Sequence, residues 1–179
     1  MKMLTITLLS LISIAAQAEV RCLASGSGYA AFDTNSGRQI SGAYRDSQEC
    51  KNDLGSSRST NACLWNGKGY AVFNLYSGKQ IASHYRDASE CKSDLVVTHR
   101  SVSCLWNGSG YAAFNLNSGE QIGGAQRDNT ECKSSLSTSQ RGLTCLWNGT
   151  AYGAFNLNTG KQIGGSYRDN SDCRAAVAN

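Results

Sequence analysis

Histidine is scarce in this chain of 179 residues: His84 and His99 are the only two, both in or beside the second of four internal repeats. Catalysis near neutral pH calls on a nucleophile with an adjacent base, a carboxylate pair or a metal cluster. No such constellation stands apart from the repeats. Both histidines read as solvated loop or strand-end residues, so no catalytic residue is expected and the chain is read as non-enzymatic. No two cysteines lie at the two-to-four-residue interval of a zinc knuckle, which leaves neither a metal nor another cofactor to expect. Strong charge of one sign is also missing. The formal net charge is +4, with acidic and basic residues interspersed, too mild a balance to imply nucleic acid or anionic membrane as the partner. Beyond residue 14 nothing is continuously apolar, so no membrane insertion is expected.

What the N-terminus does have is Lys2, an apolar run over residues 4–14, and the small-residue step Ala16-Gln17-Ala18. This is the pattern of a secretory signal peptide over residues 1–18, cut after Ala18. A secreted or periplasmic location follows. The eight cysteines all lie beyond that cut and are expected to be fully oxidised, since disulfides persist outside the reducing cytosol.

Those cysteines, Cys22, Cys50, Cys63, Cys91, Cys104, Cys132, Cys145 and Cys173, alternate in spacing between 28 and 13 without deviation, a period of 41 residues. Shifting the chain by that period superposes Leu23, Leu64, Leu105 and Leu146, then Tyr29, Tyr70, Tyr111 and Tyr152, then Phe32, Phe73, Phe114 and Phe155. Four repeats result, over residues 19–59, 60–100, 101–141 and 142–179. Their phase favours one disulfide inside each, Cys22 with Cys50, Cys63 with Cys91, Cys104 with Cys132, and Cys145 with Cys173. The rival is a closed ring, with Cys50 joined to Cys63 and so on round to Cys22 with Cys173.

In the third repeat a short strand from Cys104 stops at the turn signal Asn107-Gly108. A second strand over residues 111–116, the tight turn Asn117-Ser118-Gly119 and a returning strand from Gln121 then form a β-hairpin. Gly123-Gly124, and Gly164-Gly165 in the fourth repeat, mark a bulge in that returning strand. Asp128 caps a short helix, with Glu131 placed to reach back; Asp46, Asp87 and Asp169 repeat the cap. The second cysteine and an aliphatic residue four positions on, Leu54, Leu95, Leu136 or Val177, share one helix face. The expected fold is α+β and β-rich: four tandem disulfide-stapled modules, each a short strand, a β-hairpin and a short helix, packed as a pseudo-symmetric array. Each module alone has a thin core, and stacking on its neighbours supplements it.

Two constellations are candidates for ligand binding. Trp65, Trp106 and Trp147 share one column, each followed by Asn66, Asn107 or Asn148, an aromatic platform beside an amide. The first module has Ala24 there, as expected if tryptophan packs between modules and one end lacks a neighbour. The second is the Arg-Asp step with its preceding tyrosine: Tyr44-Arg45, Tyr85-Arg86, Arg127 after Gln126, and Tyr167-Arg168, suited to hydroxyls or a carboxylate. Helix capping already accounts for the aspartate. Asn107-Gly108-Ser109 and Asn148-Gly149-Thr150 match the N-glycosylation pattern and carry meaning only in a host that uses it.

Together these features predict a multivalent binding protein with a glycan or envelope polymer as partner, because several weak sites on one frame gain avidity against a polyvalent target. An inhibitor or effector acting on a protein target, through a loop such as residues 98–100, is one alternative. A structural envelope or matrix repeat protein is the other.

Overall fold

The computed structural model describes residues 19–55, 60–96, 101–137 and 141–178. The signal-peptide segment, His99 and the loop over residues 98–100 lie outside the described residues. Each module is an antiparallel strand pair, extended by a third strand in all but the second module, followed by a helix. The first contains β1 (Val20–Ser25), β2 (Gly28–Asp33), β3 (Arg38–Gln39) and α1 (Ser47–Gly55). The second contains β4 (Asn61–Trp65), β5 (Tyr70–Asn74) and α2 (Ala88–Asp94). The third contains β6 (Val102–Trp106), β7 (Tyr111–Asn115), β8 (Gln121–Gln126) and α3 (Asn129–Ser137). The fourth contains β9 (Leu143–Trp147), β10 (Tyr152–Asn156), β11 (Gln162–Tyr167) and α4 (Asn170–Ala178).

The leading strand, read from the sequence as separate from the hairpin, pairs with the middle strand along its whole length. Trp65 lies opposite Tyr70, Trp106 opposite Tyr111 and Trp147 opposite Tyr152. The turn between them is held by the asparagine side chain: Asn66 Oδ1 accepts from the Lys68 and Gly69 amides at 3.0 Å each. In the second turn Asn74 Oδ1 accepts from the Tyr76 and Ser77 amides, and Gly78 adopts φ 63°, a conformation glycine enters without the penalty other residues meet. The returning strand is complete only in the third and fourth modules, where the register shifts between Tyr111 and Ala113 and between Gly153 and Phe155. The bulge expected at Gly123-Gly124 is there, with Gly123 at φ 73°. In the second module the same stretch makes only the bridges Phe73 to Gln80 and Tyr70 to Tyr85.

Four disulfides join Cys22 to Cys50, Cys63 to Cys91, Cys104 to Cys132 and Cys145 to Cys173, each tying a leading strand to its helix across a Cα–Cα distance of 5.9 to 6.0 Å. The ring pairing is thereby excluded. Each helix starts at its aspartate: Asp46, Asp87, Asp128 and Asp169 accept from the amides of Glu49, Glu90, Glu131 and Asp172 at 2.8 to 3.0 Å. Glu131 does not reach back as the capping box suggested; its carboxylate turns forward to the next module and accepts from the Tyr152 hydroxyl at 2.6 Å.

The two faces of each meander have different partners. Cys63 and Val72 face the module's own helix, whereas Leu64, Ala71 and Phe73 pack on Ala31, Ile40 and Cys50 of the module before. Leu105 and Phe114 cover Val72 and Ile81 in the same way, and Leu146, Phe155 and Leu157 cover Ala113, Ile122 and Leu136. The opposite facing of Tyr111 and Phe114 read from strand parity thus has a physical outcome, with Phe114 turned to the second module and Tyr111 to its own. Helices are linked along the array by Lys92 with Asp53 at 3.0 Å and Lys133 with Asp94 at 3.3 Å.

Candidate functional site

A module junction is built from the third-strand region of one module and the leading strand of the next. The Trp65 carbonyl accepts from the Gly42 amide at 2.6 Å, and the Trp65 amide donates to the Tyr44 hydroxyl at 2.8 Å. The second junction repeats both bonds, with Ser83 donating to the Trp106 carbonyl at 2.9 Å and the Trp106 amide donating to the Tyr85 hydroxyl at 2.7 Å. Gly42 permits the approach: a Cβ there would come within 2.5 Å of the Gly67 nitrogen. The columns of Tyr44 and Trp65, distant in sequence, are therefore one construction.

Above this backbone contact the side chains leave an open groove. At the first junction it measures about 730 Å³ and is lined by Arg45, Asp46, Gln48 and Glu49 of the first module and by Trp65 and Tyr70 of the second. At the third junction it measures about 450 Å³, between Gln126, Arg127 and Glu131 on one side and Trp147 and Tyr152 on the other. The aromatic wall is a fixed pair. Trp65 and Tyr70 meet edge to face at 5.5 Å, Trp106 and Tyr111 at 5.3 Å, Trp147 and Tyr152 at 5.5 Å, the arrangement that the ring quadrupoles favour. Tyr111 and Tyr152 donate to Glu90 and Glu131 across the junction, and Glu49 faces Tyr70 likewise. Glu131 together with burial pushes the Tyr152 phenol up to about 12, and burial raises Tyr70 and Tyr111, so all three rings stay neutral donors at ordinary pH.

Among the described residues three junctions have three tryptophans, and Ala24 stands on the leading strand of the first described module. Arg45, Arg86, Arg127 and Arg168 are exposed, and among the described residues none of them makes an ion pair. Among the described residues Arg168 has no aromatic pair opposite. Tyr44 and Tyr85 are 3 % exposed, their hydroxyls accepting the tryptophan amides and facing Asp53 and Asp94, whereas Tyr167 is half-buried. The asparagines beside the tryptophans are also committed internally. Besides holding the turn, Asn66, Asn107 and Asn148 donate through Nδ2 to Gln80, Gln121 and Gln162 at 3.0 to 3.3 Å. Two columns that belong to the groove were not among the sequence candidates: Tyr70, Tyr111 and Tyr152, and the carboxylates Glu49, Glu90 and Glu131. Their signal in the sequence is constancy through the array, which packing explains equally well.

No known protein family, curated protein or solved structure matches the chain.

The middle junction differs at one point. His84 stands where Ala43 and Ala125 line the outer grooves, and its imidazole lies against Gly69, 3.1 Å from where a Cβ on that residue would be. The third junction differs at another. Gln126 replaces tyrosine, is 5 % exposed, and its Oε1 has no hydrogen-bond partner among the described residues. Among the described residues no group of three histidine, cysteine or acidic side chains converges as a metal site, and no helix is long and apolar enough to cross a membrane.

Proposed function

We propose that this chain is a secreted or periplasmic, non-enzymatic binding protein whose junction grooves hold a repetitive glycan of a cell envelope or extracellular matrix. The observation that carries the reading is recurrence: an edge-to-face Trp-Tyr pair at each of the three junctions, faced at the first and third by an exposed Arg and a Glu on the opposite groove wall. Sugar rings have apolar C–H faces that pack on aromatic surface and hydroxyls that pair with guanidinium and carboxylate groups. Bonds to the charged groups are worth about 1.5 to 3 kcal/mol each, so one groove binds weakly. Several on a disulfide-fixed frame raise the avidity for a polymer about a hundredfold or more over a single unit.

A glycan array probed with the purified oxidised protein tests this, alongside an intact mass that should begin at Glu19. The expected result is binding to polymeric glycans that weakens with Trp106→Ala and disappears when Trp65 and Trp147 are replaced as well. The asparagines take no part in this version, so Asn107→Asp should alter folding stability more than avidity. Absence of binding across a broad array of envelope and matrix glycans would sink the proposal.

A further inference from the structure

Among the described residues the array has two open ends, and they carry the two halves of a junction. At the C-terminal end Ile163 is 56 % exposed, whereas its counterparts Ile40, Ile81 and Ile122 are 6, 7 and 1 % exposed beneath the next module. At the N-terminal end Leu23 is 45 % exposed, against 0, 0 and 2 % for Leu64, Leu105 and Leu146. Phe32, unlike Phe73, Phe114 and Phe155, is also only half-buried. A closed ring would have covered these side chains. Each end instead presents apolar surface whose internal equivalents are covered three times over by the other kind of face.

The polar groups match as well. Ala24 pairs opposite Tyr29 in the register that Trp65 takes opposite Tyr70, so the Ala24 amide and carbonyl point outward as those of Trp65 do. At the other end Tyr167 keeps the tyrosine of the first two junctions, and its hydroxyl accepts no hydrogen bond among the described residues. Gly165 keeps the glycine of positions 42 and 124. At those two positions a Cβ would strike the backbone of the next module, at 2.5 and 2.7 Å, but at Gly165 nothing lies within 4 Å.

We infer that this protein associates head to tail with a second copy, the first module of one chain seating on the fourth module of another and rebuilding a junction between them. The Ala24 amide donates to the Tyr167 hydroxyl, the Gly165 amide donates to the Ala24 carbonyl, and Leu23 with Phe32 covers Ile163. The contact is heterologous, so it propagates into filaments or larger rings instead of stopping at a dimer. Thr34 stands where Leu75, Leu116 and Leu157 pack, and Arg21 pairs with Glu19 at the rim of the same face. The end-to-end junction is for this reason weaker than an internal one and forms reversibly. With Ala24 in place of tryptophan it adds no fourth binding groove, so the inference stands apart from what the grooves hold.

Sedimentation velocity of the oxidised protein over a range of concentrations tests it. The wild-type chain should shift toward heavier species as concentration rises, and Ile163→Asp and Leu23→Asp should each remain monomeric. Mixed together those two variants should form a one-to-one dimer, because each retains the face that the other has lost. Gly165→Ala, which meets open space within its own chain, should keep wild-type stability and lose association. A wild-type chain that stays monomeric throughout overturns the inference. So does self-association of Leu23→Asp alone, which would mean that two C-terminal faces pair with each other.

Discussion

Tyr85, 3 % exposed, accepts the Trp106 amide at 2.7 Å and turns the same hydroxyl to Asp94. Removing the hydroxyl leaves a buried N–H without a partner, which costs about 1 to 3 kcal/mol. Tyr85→Phe should therefore lower the denaturant midpoint while the disulfides stay intact, and a midpoint equal to wild type would show that the amide finds another acceptor. Burial raises the phenols of Tyr44 and Tyr85 well above the ordinary value of 10.0, and Glu131 with burial raises Tyr152 to about 12. Unfolded phenols lose their protons near 10.0, so the stability these residues contribute is complete below that pH and is lost as pH rises through their folded values. Stability measured from pH 8 to 12 should fall above 10, less steeply in Tyr85→Phe. At this scale the sequence was legible where repetition breaks: Ala24 pointed to the lack of a preceding module. The binding columns were less so, because the Tyr44 column recurs in three modules and the Tyr70 column in all four, and only the fold separates a buried acceptor from a groove wall.

Among the elements, the helices were the most legible, because an aspartate three residues before an acidic residue leaves one reading for both the start and the cap. Asp128 accepts from the Glu131 amide at 2.8 Å. Asp128→Ala should cost about 0.5 to 2 kcal/mol, read as a lower denaturant midpoint and faster exchange of the α3 amides. No change in exchange at α3 would mean that the disulfide alone holds that turn. The caps also set an acid limit. Hydrogen bonds from Ser89 and Ser171, reinforced by the amides of Glu90 and Asp172, hold the Asp87 and Asp169 carboxyls below the usual 3.8. Their contribution is present above that value and is lost as pH falls through the depressed folded pKa, so α2 and α4 should loosen only in strong acid. The strands were harder to read. Gly-Gly announced the bulge, but the same stretch reads Ser41-Gly42 and Ala82-Ser83 in the first two modules, where pairing shrinks to a two-residue strand or bridges. The capping glutamates also behaved differently, because a phenol from the next module competes for their carboxylates.

In the whole molecule no module owns a complete core, and this decides how the array comes apart. Leu105, Phe114 and Leu116 of the third module finish the core of the second, while Leu146, Phe155 and Leu157 of the fourth finish that of the third. The fourth module's own cluster is small, Cys145, Ala154 and Cys173 with partly buried Tyr152, Tyr167 and Val177, and has a neighbour on one side only. Closing a loop between cysteines 28 apart removes unfolded-chain entropy equivalent to about 3 to 4 kcal/mol, comparable with what so small a core supplies. Replacing Cys145 and Cys173 by alanine should therefore release the fourth module while the first three keep their structure, because nearest-neighbour stacks unfold from an end at the cost of one interface. Replacing Cys104 and Cys132 removes the support of both neighbours' interfaces, so protection should fall across the second, third and fourth modules together. Hydrogen exchange with peptide resolution separates the cases. Loss confined to residues 143–178 in the first variant, with spread into both flanking modules in the second, is the expected pattern. Uniform loss over all four modules in the terminal variant would instead show that the array folds as a single cooperative unit, and that its apparent modularity is a property of sequence and geometry but not of stability.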